Sequence, residues 1–460
     1  MKKIKIGLLP LYIKLYDDAG SDKTYTRAFY DRMAGTLQAQ GFDVIKTENC
    51  RIKPEFKAAV DMFEKEGADV IVTLHAAYSP SLESIDALAG TKLPLVVLDS
   101  TEAFSLNLFE TPNPISNNHG IHGVMDMCNL LKQRGKPYAI AAGHTSNSNV
   151  IKKTCDFVRA AVAAKSLDGS KVGAFGTSFD GMGDFLISKE DAKKIFGIEI
   201  VSFSDQDMNA LASTVTAEEI AQEKAAYEKD FDIKLGKDDT AVLDKSIRAC
   251  LAIRKGVKEK ELDAFSVNFL DINKKNFDSM PFVEACKAMA NGIGYAGEGD
   301  VLTASFVGAL LKTFKDTSFI EIFCPDWKKD KLLISHMGEM NYAVANAKPT
   351  LVRSSFIYTD ADDAIKGFAE FKKGPAVFGN VYKDEDGKYK LLLSQIEMVD
   401  GEPDFENSIR GWFKAKMPIN EFLETLSEYG AIHHSFLVYD VDIKALEYFG
   451  KLVGLGVNKI

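Results

Sequence analysis

The chain has 460 residues, 46% hydrophobic, 27% charged and 10% aromatic, a composition that excludes disorder, collagen and coiled coil. Its length predicts about three domains, each able to bury a core. With 56 Lys+Arg against 66 Asp+Glu the net charge is −10, and no basic cluster offers a footprint for a phosphate backbone, so nucleic acid is excluded as a main partner. Cysteines at 50, 128, 155, 250, 286 and 324 form no CxxC pair and no dense disulfide framework; they read as free thiols of a reducing compartment. No run of about 18 uninterrupted apolar residues implies a membrane span. The N-terminal lysines and short apolar stretch lack a small-x-small cleavage site and predict a first strand in a cytoplasmic protein.

In chain order, KIKIGLLPL predicts a strand and TYTRAFYDRMAGTLQAQG an amphipathic helix stopped by Gly41. FDVIKT, a helix over 54–66, ADVIVTLHA, a helix over 81–89 and PLVVLDS follow. Then come a helix near 121–134, YAIAAGH and a helix over 148–164. Short Val/Ile/Leu runs alternating with helices predict βαβ units around a parallel sheet, and so a doubly wound domain over 1–168. A second α/β domain, 169–325, starts at KVGAFGTSFDGMGDF and IEIVSFS. It continues through one long charged helical region over 216–257 to AFSVNFL. From 326 to 460 the character changes. LVRSSFIYT, PAVFGNVY, KYKLLLSQIEMV and SIRGWFKA predict a mostly antiparallel, barrel-like domain, with a hairpin at Asp386-Gly387 and helices only at 418–428 and 442–454.

Histidine is the scarcest catalytic residue, at 75, 119, 122, 144, 336, 433 and 434. Four segments could carry chemistry. Gly292-x-Gly294-x-x-Gly297 matches a dinucleotide fingerprint, but that fingerprint needs a preceding strand, and PFVEACKAMA reads as a helix. No nicotinamide is therefore expected. What remains is a glycine-rich bend holding Glu298 and Asp300 ahead of an apolar helix that Asp300 caps. In TSFIEIFCPDW, Glu321 interrupts an apolar strand and on its own reads as solvent-facing before it reads as a site residue. His336 ends the apolar run of LLISHMGEMN. His433 and His434 open the strand of GAIHHSFLVYD, where alternation predicts that one of the two serves a given site. Two carboxylates and two imidazoles, without sulfur, suit a divalent ion such as Mn²⁺ better than a structural zinc.

Taken in order, GYAGEGDVLTA, TSFIE, SHMGE and HHSF resemble the metal-site segments of the L-arabinose isomerase family, within the wider arabinose/fucose isomerase group. TLHAAYSP, NNHGIHG, the AAGH strand end and AFSVNFLD extend the resemblance over most of the chain. It implies that Glu298, Glu321, His336 and His434 bind catalytic Mn²⁺ (Mg²⁺ or Co²⁺ as substitutes), with Glu298 and Glu321 as the acid–base pair. It further implies substrate contacts from His122, with His119 as the neighbouring alternative, and from Met182 and Phe269. The implied protein is a metal-dependent aldose–ketose isomerase of an L-arabinose-type sugar, D-galactose included, assembled as a hexamer or trimer. Two departures fall near the implied sugar position. The family's Gly-Ser-Gln-His-Leu-Tyr-Gly turn is replaced by Gly7-Leu8-Leu9-Pro10-Leu11-Tyr12-Ile13, and Ile322-Phe323-Cys324-Pro325 follows the second glutamate. An isomerase or epimerase of another sugar such as L-fucose, and a non-catalytic sugar-binding protein, stand as alternatives.

Overall fold

The computed structural model describes residues 3–18, 24–107, 113–401 and 409–460. The chain divides into two compact units, Met1–Val162 with Lys444–Leu452, and Ala163–Ile443 with Val453–Ile460. Among the described residues no helix is long and apolar enough to cross a membrane.

The first unit is built on β1 (Lys5–Leu11), β2 (Asp43–Lys46), β3 (Val70–His75), β4 (Leu95–Asp99) and β5 (Tyr138–Ala142). All neighbours are parallel, in the order β2-β1-β3-β4-β5. The order reverses at β1, the mark of a doubly wound sheet. Strand β3 is buried along its whole length, which is why its sequence, Val-Ile-Val-Thr-Leu-His, shows no polar alternation. The helix Ile443–Leu452 comes late in the chain but belongs largely to this unit; its buried Tyr448 hydroxyl donates to the Leu95 carbonyl at 2.8 Å.

The second unit contains β6 (Lys171–Phe175), β7 (Glu199–Phe203), the two-residue β8 (Asp232–Ile233), β9 (Ala264–Val267) and β10 (Gly294–Gly297). Four of these make a parallel sheet in the order β10-β9-β6-β7. The long charged region expected as one helix is two, Ala217–Asp230 and Thr240–Lys260. Buried Phe231 ends the first in extended conformation, and β8 then pairs with the strand Thr350–Ser354, so the backbone bonds that a continuing helix would use go to a sheet. The glycine-rich segment expected as a bend contains strand β10. The helix Phe282–Ala290 does precede it, so the dinucleotide geometry is absent there.

The remaining strands are β11 (Thr317–Asp326), β12 (Lys331–Ser335), β13 (Thr350–Ser354), β14 (Ala364–Phe368), β15 (Gly374–Lys383), β16 (Tyr389–Val399), β17 (Gly411–Ala415), β18 (His434–Tyr439) and β19 (Gly456–Lys459). Strands β15-β18-β11-β12-β17-β16 form an antiparallel sheet closed into a six-strand barrel by the β15–β16 pairing, with β19 added parallel to β16. Closure removes the exposed edges that an open sheet would leave. Glu321, expected with the central α/β domain, therefore stands on a barrel strand. The apolar residues around it, Phe319 and Ile320, are buried with the barrel.

Candidate metal centre

Glu298 follows β10 and stands in the left-handed backbone region, φ 63°. Both flanks hold it there: its N–H donates to the Val267 carbonyl and its carbonyl accepts from the Phe179 N–H. A non-glycine residue pinned in this region is a common mark of a functional position. Just before it, Gly297 has no alternative, because a Cβ there would come within 2.6 Å of the His336 ring. Just after it, buried Asp300 caps the helix Val301–Leu311 through Thr303 N–H at 2.9 Å. All eleven residues of that helix are buried, as an all-round apolar sequence requires.

Strand register supplies the other side. Glu321 on β11 lies directly opposite His434 on β18 and opposite Ser335 on β12, with His336 the next residue along. Cross-strand neighbours on one face meet at close range, so β11 and β18 bring Glu321 and His434 together, and His336 joins them from just past the end of β12. Phe319, two residues before Glu321 and on the same face, contacts both rings, with centroids 5.0 Å from each. Glu321 is thus turned toward imidazoles instead of open solvent, and burial raises its carboxyl despite the opposing charge of the histidines.

Each buried imidazole is held through Nδ1. His336 Nδ1 is 2.7 Å from Glu339 Oε2, an oxygen that also accepts from Gly338 N–H, while the Tyr295 hydroxyl donates to Glu339 Oε1 at 2.7 Å. His434 Nδ1 is 3.0 Å from Asp300 Oδ2. A carboxylate on Nδ1 puts the proton there and leaves the Nε2 lone pair to point outward, which is how a metal-ligating histidine is prepared. Nε2 of His336 and of His434 are both buried without a hydrogen-bond partner among the described residues. They face Glu321 Oε2 at 3.8 Å and Glu298 Oε2 at 3.5 Å respectively. Orphaned, pre-aimed nitrogens beside two carboxylates fit a divalent cation. Among the described residues, the groups able to hold a metal ion are Glu298/His433/His434 and Glu321/His336/His434, with ligand atoms within 4.8 Å of one another.

His433 departs from the alternation argument. It precedes β18 instead of lying on it, so its ring is free to turn beside His434, centroids 4.2 Å apart. Its Nε2 reaches Glu298 Oε2 at 3.3 Å, and its Nδ1 is 2.7 Å from Asp184 Oδ2. Both histidines of the pair therefore serve one site. Burial opposes the charge on His433, but the bonds to Asp184 and Glu298 outweigh it and raise the group to about 10. Burial likewise works against the Asp184 carboxylate, and the bonds from His433 bring it down to about 2. For Glu298, burial works against ionisation, but the hydrogen bond from His433 and the imidazoles of His336 and His434 close by outweigh it, so its carboxyl is held well below the usual range. Asp184, Glu339 and Tyr295 are site residues that sequence reasoning does not single out. Glu339, three residues after His336, is within reach of it, because a carboxylate beside a ligand histidine is a recurring partner.

Phe269 is buried beside Phe179, centroids 5.5 Å apart, and Phe179 is the residue whose N–H binds the Glu298 carbonyl. Met182 packs against the barrel core. His119 and His122 belong to the first unit, where His122 Nδ1 is 3.0 Å from His119 Nε2 and Tyr78 covers His122 at 4.5 Å.

The family model of the L-arabinose isomerase central domain matches residues 187–316, and that of the L-arabinose isomerase C-terminal domain matches 316–456. An L-arabinose isomerase of Aeromonas hydrophila is 25% identical over 84% of this chain and 79% of its own length. One from Saccharophagus degradans is 22% identical over 96% and 92%. A solved periplasmic solute-binding protein of Actinobacillus succinogenes, bound to D-allose, aligns at 12% identity over 68% of this chain and 92% of its own, with a TM-score of 0.20, too low to carry an argument.

Proposed function

Because the chain belongs to the L-arabinose isomerase family, we propose that it interconverts an aldose and its 2-ketose, with an L-arabinose-type sugar as substrate. One observation carries the reading: two buried histidines, each held through Nδ1 by a carboxylate, aim unpartnered Nε2 atoms at a space shared with two glutamates. A protein that only bound sugar would have no use for that construction.

Glu298, Glu321, His336 and His434 would hold the ion, and oxygen and nitrogen donors without sulfur favour Mn²⁺, with Mg²⁺ or Co²⁺ as substitutes. When bound, a divalent cation supplies Lewis-acid stabilisation of the negative charge that develops on the sugar oxygens. The chain's own residues do the rest. Isomerisation moves a poorly acidic C–H proton between C1 and C2 through an enediol and moves a hydroxyl proton with it. Glu298, held ionised by its imidazole neighbours, and Glu321, raised by burial, have environments that push them apart, as in a pair that divides acid and base work. The Phe179 N–H holds the Glu298 carbonyl, and the Phe179 ring packs against buried Phe269.

The altered Gly7–Ile13 and Ile322–Pro325 segments keep D-galactose and L-fucose among the substrates to be tried. The reading also carries a homo-oligomer, which light scattering measures. The decisive experiment strips the protein with chelator, restores Mn²⁺ and screens an aldose panel for ketose. Conversion that returns with metal and ignores added nicotinamide is expected. Full activity in the stripped protein would remove the metal role, and binding without conversion would leave a sugar receptor.

A further inference from the structure

Asp184 lies outside the four-residue ligand set, in the loop between β6 and the helix Lys189–Phe196. One of its oxygens, Oδ2, takes two hydrogen bonds from His433, from the backbone N–H at 3.0 Å and at the ring Nδ1 at 2.7 Å. Tethering backbone and ring to the same oxygen leaves the imidazole little freedom to rotate and directs its Nε2 toward Glu298 Oε2. The next residue, Phe185, stacks on His434 with centroids 5.1 Å apart and planes 13° from parallel. Two consecutive residues of one loop thus hold two consecutive histidines.

The three imidazoles are not equivalent. The side chains of His336 and His434 are at most 2% exposed, and so are the Glu339 and Asp300 carboxylates that hold them. The His433 side chain is 30% exposed and its Asp184 anchor 37%. His433 also has its Nε2 already within hydrogen-bond distance of Glu298, whereas the other two Nε2 atoms are orphans. An accessible imidazole at the rim of a buried ligand set meets what enters the site.

We propose that Asp184 is a positioning residue that aims His433 Nε2 at the sugar hydroxyl approaching Glu298. The inference rests on the isomerase reading for the identity of the hydroxyl, but the tether itself can be tested apart from turnover.

The test uses the full-length, Mn²⁺-loaded protein with Asp184→Leu, which has similar bulk and no acceptor, and Asp184→Asn, whose carbonyl oxygen can still accept both bonds. Asp184→Leu should lower kcat/KM about 10- to 100-fold, the usual cost of losing an orienting partner, mainly by raising KM. Mn²⁺ affinity by titration calorimetry should stay within about threefold, because the proposed function assigns ligation to Glu298, Glu321, His336 and His434 and leaves His433 to the sugar. Asp184→Asn should recover most of the loss. Nitrogen-15 spectra of labelled histidines should show His433 Nδ1 fully protonated in wild type and Asp184→Asn, and partly deprotonated in Asp184→Leu. Three results overturn the proposal: Asp184→Leu activity within about twofold of wild type, Mn²⁺ binding lost along with activity, or Asp184→Asn no better than Asp184→Leu. Should wild type convert no aldose at all, the isomerase reading fails, and the protonation of His433 Nδ1 alone decides Asp184.

Discussion

Buried histidines stand at strand ends in both units, and they are built differently. His75 closes β3 in the first unit, and neither of its ring nitrogens has a hydrogen-bond partner among the described residues. The chain fits closely round it: a Cβ on Gly123 would come within 2.6 Å of the ring. Burial holds the group neutral, pulling it down to about 3 against a small opposing effect of Asp126. His336 and His434 are as deeply buried, yet each has a buried carboxylate on Nδ1 and an Nε2 that faces Glu321 or Glu298. Burial alone makes a packing residue. A carboxylate behind the ring instead prepares a buried histidine to bind through Nε2.

The largest expected effect tests the second unit directly. Glu298→Gln and Glu321→Gln should each lower turnover by about 10³-fold or more, since the proposed function gives each carboxylate a part in both ligation and proton transfer. Circular dichroism should show an unchanged fold in both. Near-normal activity in either variant would break the assignment of that residue.

A finer test asks whether the carboxylates behind the rings matter as argued. Asp300 serves two masters: Oδ1 accepts from Thr303 N–H and Oδ2 meets His434 Nδ1. An amide has one acceptor oxygen. In Asp300→Asn the side chain either keeps the helix cap and turns its NH₂ on His434, forcing the proton to Nε2, or keeps the histidine and loses the cap. The substitution should therefore weaken Mn²⁺ binding about 10- to 100-fold. Glu339→Gln should cost less, because its oxygen can stay on His336 and Gly338 while the Tyr295 hydroxyl rotates to accept from the amide. Calorimetric Mn²⁺ titrations of the two variants give the order; the reverse order would break the argument that the Asp300 carboxylate fixes the His434 tautomer.

Much of this is legible in the residues, unevenly. The first unit's strands are short apolar runs between amphipathic helices, and they stand out because the central three, β1, β3 and β4, are buried on both faces. The 216–257 region defeats periodicity, because β8 exists only through its pairing with β13, more than a hundred residues away. Glu321 is ambiguous for a similar reason: its surroundings come from β12 and β18, so local pattern does not say which way it faces. The motif AGEGD marks Glu298, but the left-handed turn that presents it and the Gly297 clearance for His336 are facts of three-dimensional packing. Alternation passes over His433 because the rule holds within a strand, and His433 lies one residue outside one. Asp184 is 249 positions from its partner and carries no local signal.

The smallest effect concerns the other side of the comparison. If His75 is a neutral packing residue, its native pKa of about 3 lies below the unfolded value near 6.5. Between those values the unfolded chain binds a proton that the native state refuses, so stability rises with pH across that window. The stabilisation is complete above about pH 6.5 and is lost as the pH falls toward 3, with a limiting slope of about 1.4 kcal/mol per pH unit. His75→Asn removes the titration while keeping a small polar side chain. Urea unfolding of both proteins at about pH 7, 6 and 5, followed by circular dichroism, should show the wild-type advantage shrinking by up to about tenfold in equilibrium constant per unit. Taking the difference cancels every other acid-titrating group. A difference that stays flat over those pH values would mean that native His75 accepts its proton as readily as the unfolded chain does. The ring would then have a polar partner after all, and the contrast with His336 and His434 would fall.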